Sequence, residues 1–231
     1  MSNQRIMQAA AKRRHAMRPE AKRLYKQHRD QIPALIHQLM SLTQAKYDRA
    51  YELLNKMGQM IVPQLIDALN DPELDEFALS DVVAILGLTA DERVREPLWE
   101  FFQAHQDDLD LASTTALSLS GLGDERVLSF MRRMFDSDDE ELVANAVASM
   151  ISLGTIEDIP RLRNLHRQHV ANDEIRLGIA SAVLTIVGET DERTFNRTLD
   201  GIHGSFADRY LWDDIWAILE EQFGGQDVPW Q

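Results

Sequence analysis

Residues 122–154 read LGDERVLSFMRRMFDSDDEELVANAVASMISLG, and this stretch decides the fold. Leu122 and Gly123 end one apolar run. Asp124-Glu125-Arg126-Val127 then opens an amphipathic segment, an acidic turn follows at 136–141, and an alanine-rich apolar segment runs to Gly154. The same order recurs along the chain. Asp91-Glu92-Arg93-Val94 follows Gly87, Thr155-Ile156-Glu157-Asp158-Ile159 follows Gly154, and Asp191-Glu192-Arg193-Thr194 follows Gly188. Successive glycines at 58, 87, 123, 154 and 188 are 29, 36, 31 and 34 residues apart. A period in the low thirties marks stacked helical units, none of which can bury its apolar face alone.

Each unit reads as two helices. Helix A carries small residues where helices approach closely: Ala112 and Ala116, then Ala144, Ala146 and Ala148, then Ala180 and Ala182. Leu119, Val143, Val147, Met150, Ile179 and Val183 fill the helical spacing around them and make a wide buried stripe. A glycine then ends helix A in the left-handed conformation. The next Asp, at 91, 124 and 191, caps the free N–H groups that open helix B. Pro63 and Pro160 stand in the first turn of helix B, where a missing N–H costs nothing. Aligning the units makes Leu65, Leu98, Met131 and Leu162 equivalent core positions.

The predicted helices are 47–58, 61–70, 73–86, 91–105, 110–122, 124–135, 140–153, 157–169, 172–187 and 191–202, which make five pairs. The ends differ from the repeats, as the ends of a stacked array must. Residues 1–46 form a helical arm or cap broken near Pro19 and Pro33, residues 47–204 the repeat body, and residues 205–231 a capping helix and tail.

The stretch from Leu122 to Gly154 resembles a HEAT-like repeat, and most closely the subtype named after phycobilisome lyases. That resemblance spans about residues 47–204. It implies an all-α fold, a right-handed α-solenoid of about five helix pairs with atypical helical caps. It also implies a role in holding other proteins, with bilin lyase or bilin-related chaperone activity as the alternative. It carries over no catalytic residue, cofactor or metal ligand.

Charge divides the chain unevenly. The formal net charge is −14. Residues 1–46 hold ten Lys and Arg against Glu20 and Asp30, a net +8, which leaves −22 on the remainder. A basic arm on an acidic body has three readings: it folds onto that body, it docks on an acidic protein or anionic membrane, or it binds nucleic acid. The last is least favoured, because the body repels phosphates. The arm contributes Arg13, Arg14, Lys22, Arg23 and Lys26 as candidate contacts.

The body contributes a second candidate surface. Helix B lines the concave face of such solenoids. There Ile66, Trp99, Arg132 and Arg163 form one column and Asp67, Glu100, Arg133 and Asn164 the next, with Arg167 beyond. An aromatic flanked by arginines is the composition of a protein-binding hot spot. The proposed contacts are therefore Trp99, Arg132, Arg133, Arg163 and Arg167, and the expected partner is another protein. The acidic turns between helix B and helix A read as caps and solubilising charge, or as a docking edge for a basic partner or for the protein's own arm.

Other chemistry is thin. With no cysteine, thiol catalysis and thiolate metal sites are excluded, and a reducing, cytoplasmic setting is expected. No apolar stretch approaches the ~18 residues that span a bilayer. His166 and His169 share a helix face but lack further ligands at metal-site spacing, so no metal and no cofactor are expected. There is no phosphate-binding glycine loop and no nucleophile elbow.

Overall fold

The computed structural model describes residues 19–169 and 171–188. Among these the regular structure is entirely helical. The chain forms two compact units, whose described residues are 19–127 in the first and 128–169 with 171–188 in the second. No helix among the described residues is long and apolar enough to cross a membrane.

In the first unit, residues 19–28 are helical (α1). They are followed by α2 (Ile32–His37), α3 (Gln44–Met57), α4 (Val62–Ala68), α5 (Glu76–Thr89), α6 (Arg95–Ala104) and α7 (Leu109–Gly121). The second unit contains α8 (Leu128–Met134), α9 (Glu140–Leu153), α10 (Ile159–Gln168) and α11 (Asp173–Ile186). A single 3₁₀ turn leads into each helix of the B type: Gly58–Ile61, Glu92–Val94, Glu125–Val127 and Ile156–Asp158. The predicted helix at 191–202 and the terminal helix at 205–223 lie outside the described residues.

The expected register holds. Leu65, Leu98, Met131 and Leu162 are each fully buried, as are Val94 and Val127 of the two Asp-Glu-Arg-Val segments. Ile66, Trp99, Arg132 and Arg163 are all half-buried, whereas Asp67, Glu100, Arg133 and Asn164 are all exposed. Equivalent positions thus share an environment, as one structural unit repeated in sequence demands.

The turns explain the acidic runs. Asp75, Asp108, Asp139 and Asn172 cap α5, α7, α9 and α11, each accepting a hydrogen bond from a backbone N–H of the first turn. Helix B packs on the helix A that follows it: α4 on α5, α6 on α7, α8 on α9 and α10 on α11. The acidic turn is therefore a helix hairpin that joins the B helix of one predicted pair to the A helix of the next.

The A-type helices pack on each other at small residues, α5 against α7 and α9 against α11. A Cβ added at Gly87 would lie 2.6 Å from Ser118 Oγ, and one at Gly178 would lie 2.9 Å from Val147 Cγ1. Buried hydroxyls satisfy themselves within their own helix. Thr115 donates to the Leu111 carbonyl at 2.7 Å and Ser149 to the Ala146 carbonyl at 2.7 Å.

Gly87 corrects the expectation that a left-handed glycine closes every A helix. It lies inside α5, which continues to Thr89, and the left-handed position falls to Ala90 at φ 45°. Gly154 closes α9 in an extended conformation at φ −61°. Gly58, Gly123 and Gly188 do take positive φ. The reason is packing: the contact with Ser118 needs a residue without a side chain within the last turn of the helix.

Residues 19–40 are part of the first unit's core. Leu24, Ile32, Leu35, Ile36 and Leu39 are buried, and α2 packs on α3, α4 and α5. Pro33 occupies the first turn of α2, so it starts a helix where the sequence suggested a break.

Two substitutions test this packing. Gly87→Ala should destabilise the first unit by about 1–2 kcal/mol, since overpacking outweighs the gain in helix propensity. Ala90→Gly should stabilise it by about 0.5–1 kcal/mol by relieving the left-handed strain. Urea unfolding followed by circular dichroism reads both signs.

Candidate functional site

Asp91 accepts from the backbone N–H of Arg93 at 3.0 Å and from its guanidinium Nη2 at 2.7 Å. Asp124 repeats this with Arg126, at 3.1 Å and 2.6 Å. The Asp caps the new helix and the Arg two residues on locks the cap. Each Arg then reaches back along the chain. Arg93 Nη2 donates to the Gln59 carbonyl at 3.5 Å, and Arg126 Nη2 donates to Glu96 at 2.8 Å. Arg95 reaches the other way, donating to the carbonyl of Leu122 at 2.8 Å, just past the end of α7. That is where a helix dipole attracts a cation.

In the second unit the role passes to Arg132. Its guanidinium grips Asp158 in a two-toothed pair at 2.8 and 2.9 Å, and Asp158 also accepts from the backbone N–H of Thr155 at 2.9 Å. Burial pushes the Asp158 carboxyl up, but the Arg132 and Thr155 hydrogen bonds outweigh it and hold the group below the ordinary range. Arg132 is thus engaged in holding the fold.

The other predicted contacts are distributed as follows. Trp99 is half-buried, with the Arg126 guanidinium 4.5 Å from its ring centre and Phe102 stacked at 5.4 Å. Arg133 is exposed and lies 5.6 Å from the Phe130 ring. Arg163 is half-buried and Arg167 exposed on α10. Lys22, Arg23 and Lys26 are exposed on α1, while Arg13 and Arg14 lie outside the described residues. Trp99 belongs to the first unit and Arg132, Arg133, Arg163 and Arg167 to the second.

One concave feature of the first unit brings a predicted contact together with residues that sequence reasoning passed over. It is a groove of about 760 Å³ between the ends of α3 and α5 and the side of α1. α3 stops at Met57 because Gly58, at φ 50° and ψ −125°, takes a conformation open only to glycine. The chain swings into the 3₁₀ turn, and Met60 is left half-exposed beside buried Met57. Leu88, 62% exposed on the last turn of α5, forms the facing wall. Gln59 Nε2 donates to the Thr89 carbonyl at 3.2 Å, and together with the Arg93–Gln59 bond this ties the two walls. Lys22, Lys56 and Arg93 also line it, Lys56 paired with Glu52 at 2.6 Å and Arg93 with Asp91. The exposed Leu88 directly after Gly87 was the one readable sign of this groove.

A hydrogen-bonded pair joins the start of α3 to α5. The Tyr47 hydroxyl donates to Asp81 at 3.2 Å. Burial first, and then the Asp81 charge, push Tyr47 up to about 12. Burial pushes Asp81 up as well. The pair pins α3 on α5.

Acid should weaken the repeat turns. Asp91 and Asp124 are held below the ordinary carboxylate range chiefly by hydrogen bonds from Arg93 and Arg126, and Asp158 by the bonds described above. Their folded forms favour the ionised state, so their contribution is complete above about pH 4 and disappears as pH falls through the depressed values. Asp81 acts with the opposite sign, its burden shrinking as pH falls. Thermal melts from pH 7 to 3 should therefore fall off below about pH 4, and less steeply in Asp124→Asn. Arg132→Ala should cost about 1–2 kcal/mol, less than a fully buried pair because Arg132 is a third exposed. No family model and no curated protein matches this chain.

Proposed function

We propose that this chain is a helical-repeat interaction protein whose first unit grips an acidic segment of a partner protein, seating an apolar side chain of that segment in the groove. The groove itself carries the reading. Its floor is apolar, its walls are hydrogen-bonded to each other, and three cationic side chains line it, of which Lys56 and Arg93 are paired with Glu52 and Asp91. An apolar pocket with a few charged groups at its edge is the usual form of a recognition site, and charge complementarity selects the partner. Pre-tied walls lower the ordering cost of binding.

The arm enters this reading through Lys22. The finer architecture, a right-handed solenoid of HEAT-like pairs of the phycobilisome-lyase type, belongs to the same proposal. It is supported by the shared burial of equivalent positions and by the repeated Asp-x-Arg turn. The cysteine-free composition fits a reducing, cytoplasmic setting.

The test starts with the partner captured from native lysate and a synthetic peptide covering its bound segment. Binding is then read by fluorescence anisotropy for wild type, Leu88→Asp and Lys22→Glu, both of which alter exposed side chains. Each change should weaken binding by about tenfold or more while leaving the melting temperature in place. Affinity unchanged in both, or lost in Trp99→Ala alone, would place the partner elsewhere.

A further inference from the structure

We propose that His37, Asp71 and Glu73 form a zinc-binding site on the first unit. His37 ends α2, and Asp71 and Glu73 lie in the turn after α4, thirty-four and thirty-six residues further on. The fold brings these together. The Glu73 backbone N–H donates to Asp71 Oδ1 at 3.0 Å, which fixes one carboxylate oxygen and leaves Oδ2 to face the imidazole. His37 Nε2 stands 3.3 Å from Asp71 Oδ2. One ligand atom from each of the three residues lies within 4.8 Å of the others.

These distances fit a small tetrahedral ion. Ligand atoms at the ~2.0 Å bond length of zinc stand roughly 3.3 Å apart along a tetrahedral edge. The His37–Asp71 pair already has that separation, and Glu73 is exposed and closes the remainder by turning its side chain. As a simple ion pair, the 3.3 Å contact is long, since charge-assisted hydrogen bonds run at about 2.7–2.9 Å. It also leaves the second carboxylate drawn toward the first, an arrangement that a divalent cation compensates.

A separate observation points to the same place. His37 and Asp71 line a recess of about 200 Å³ together with Gln64 and Asp67. The recess leaves room beside the three residues for an ion and a water as its fourth ligand. The donor set of one imidazole with carboxylate oxygens suits zinc better than calcium or magnesium, which take oxygen alone. The recess is separate from the groove, so the site stands or falls independently of the partner-binding reading.

Isothermal titration of untagged, metal-free full-length protein with Zn²⁺ alone tests the site. Wild type should take up one equivalent, and His169→Ala should do the same. His37→Ala and Glu73→Gln should each weaken uptake by at least about tenfold, the loss that even outer-shell partners of a metal command. Both change accessible side chains, so circular dichroism should show the fold intact. Co²⁺ in place of Zn²⁺ should give visible absorption of tetrahedral intensity, absent in His37→Ala. No saturable uptake by wild type, or uptake unchanged in either variant, overturns the proposal.

Discussion

The close approach of neighbouring A-type helices is the constraint on which both units depend. At Gly87 against Ser118, and at Gly178 against Val147, there is no room for a further side-chain atom. Dispersion and burial reward such contact only when every atom of the seam fits. The small residues are therefore a packing requirement. The cost is polarity: Thr115 and Ser149 find acceptors on the preceding turn of their own helix, and Ser118 donates across the seam to the Val83 carbonyl at 3.2 Å. A seam of this kind tolerates a hydroxyl where it cannot tolerate a methylene.

The recurring Asp-x-Arg turn follows from the same arrangement. When helices are stacked at close range, the chain must leave one and enter the next within a few residues. The N–H groups of the new helix need an acceptor at once, and the Asp supplies it. The Arg that locks the Asp also extends to Gln59 or Glu96, so one short turn serves both capping and the tie to an earlier turn. Arg132 and Asp158 reach a similar end with residues from two different helices. The exposed ion pairs contribute little singly; a carboxylate as buried as Asp124 or Asp158 makes the partnering arginine necessary.

The architecture of the units was largely legible because it is periodic. Leu65, Leu98, Met131 and Leu162 could be aligned by counting, and all four are buried. Gly87 shows where counting fails. Its place in the period suggested a helix end, but whether a glycine frees the backbone or admits a neighbouring helix depends on a contact thirty-one residues away. Trp99 and Arg132 show a second limit. Counting makes them equivalent, and both are half-buried, yet the cation over Trp99 and the carboxylate beside Arg132 come from other elements. The groove was hidden for the same reason: Lys22, Met60 and Leu88 share no pattern in the chain and meet only through the turn at Gly58.

On the proposed reading, a groove whose floor is held by a glycine-specific turn and whose walls are tied by Gln59 binds its partner without rearrangement. Hydrogen exchange read by mass spectrometry on the protein alone and in complex with its captured partner tests this most directly. Residues 55–63 and 86–93 should gain protection together on binding, along with the face of α1 that bears Lys22. Protection confined to α6 and α8, with the groove segments unchanged, would contradict the account.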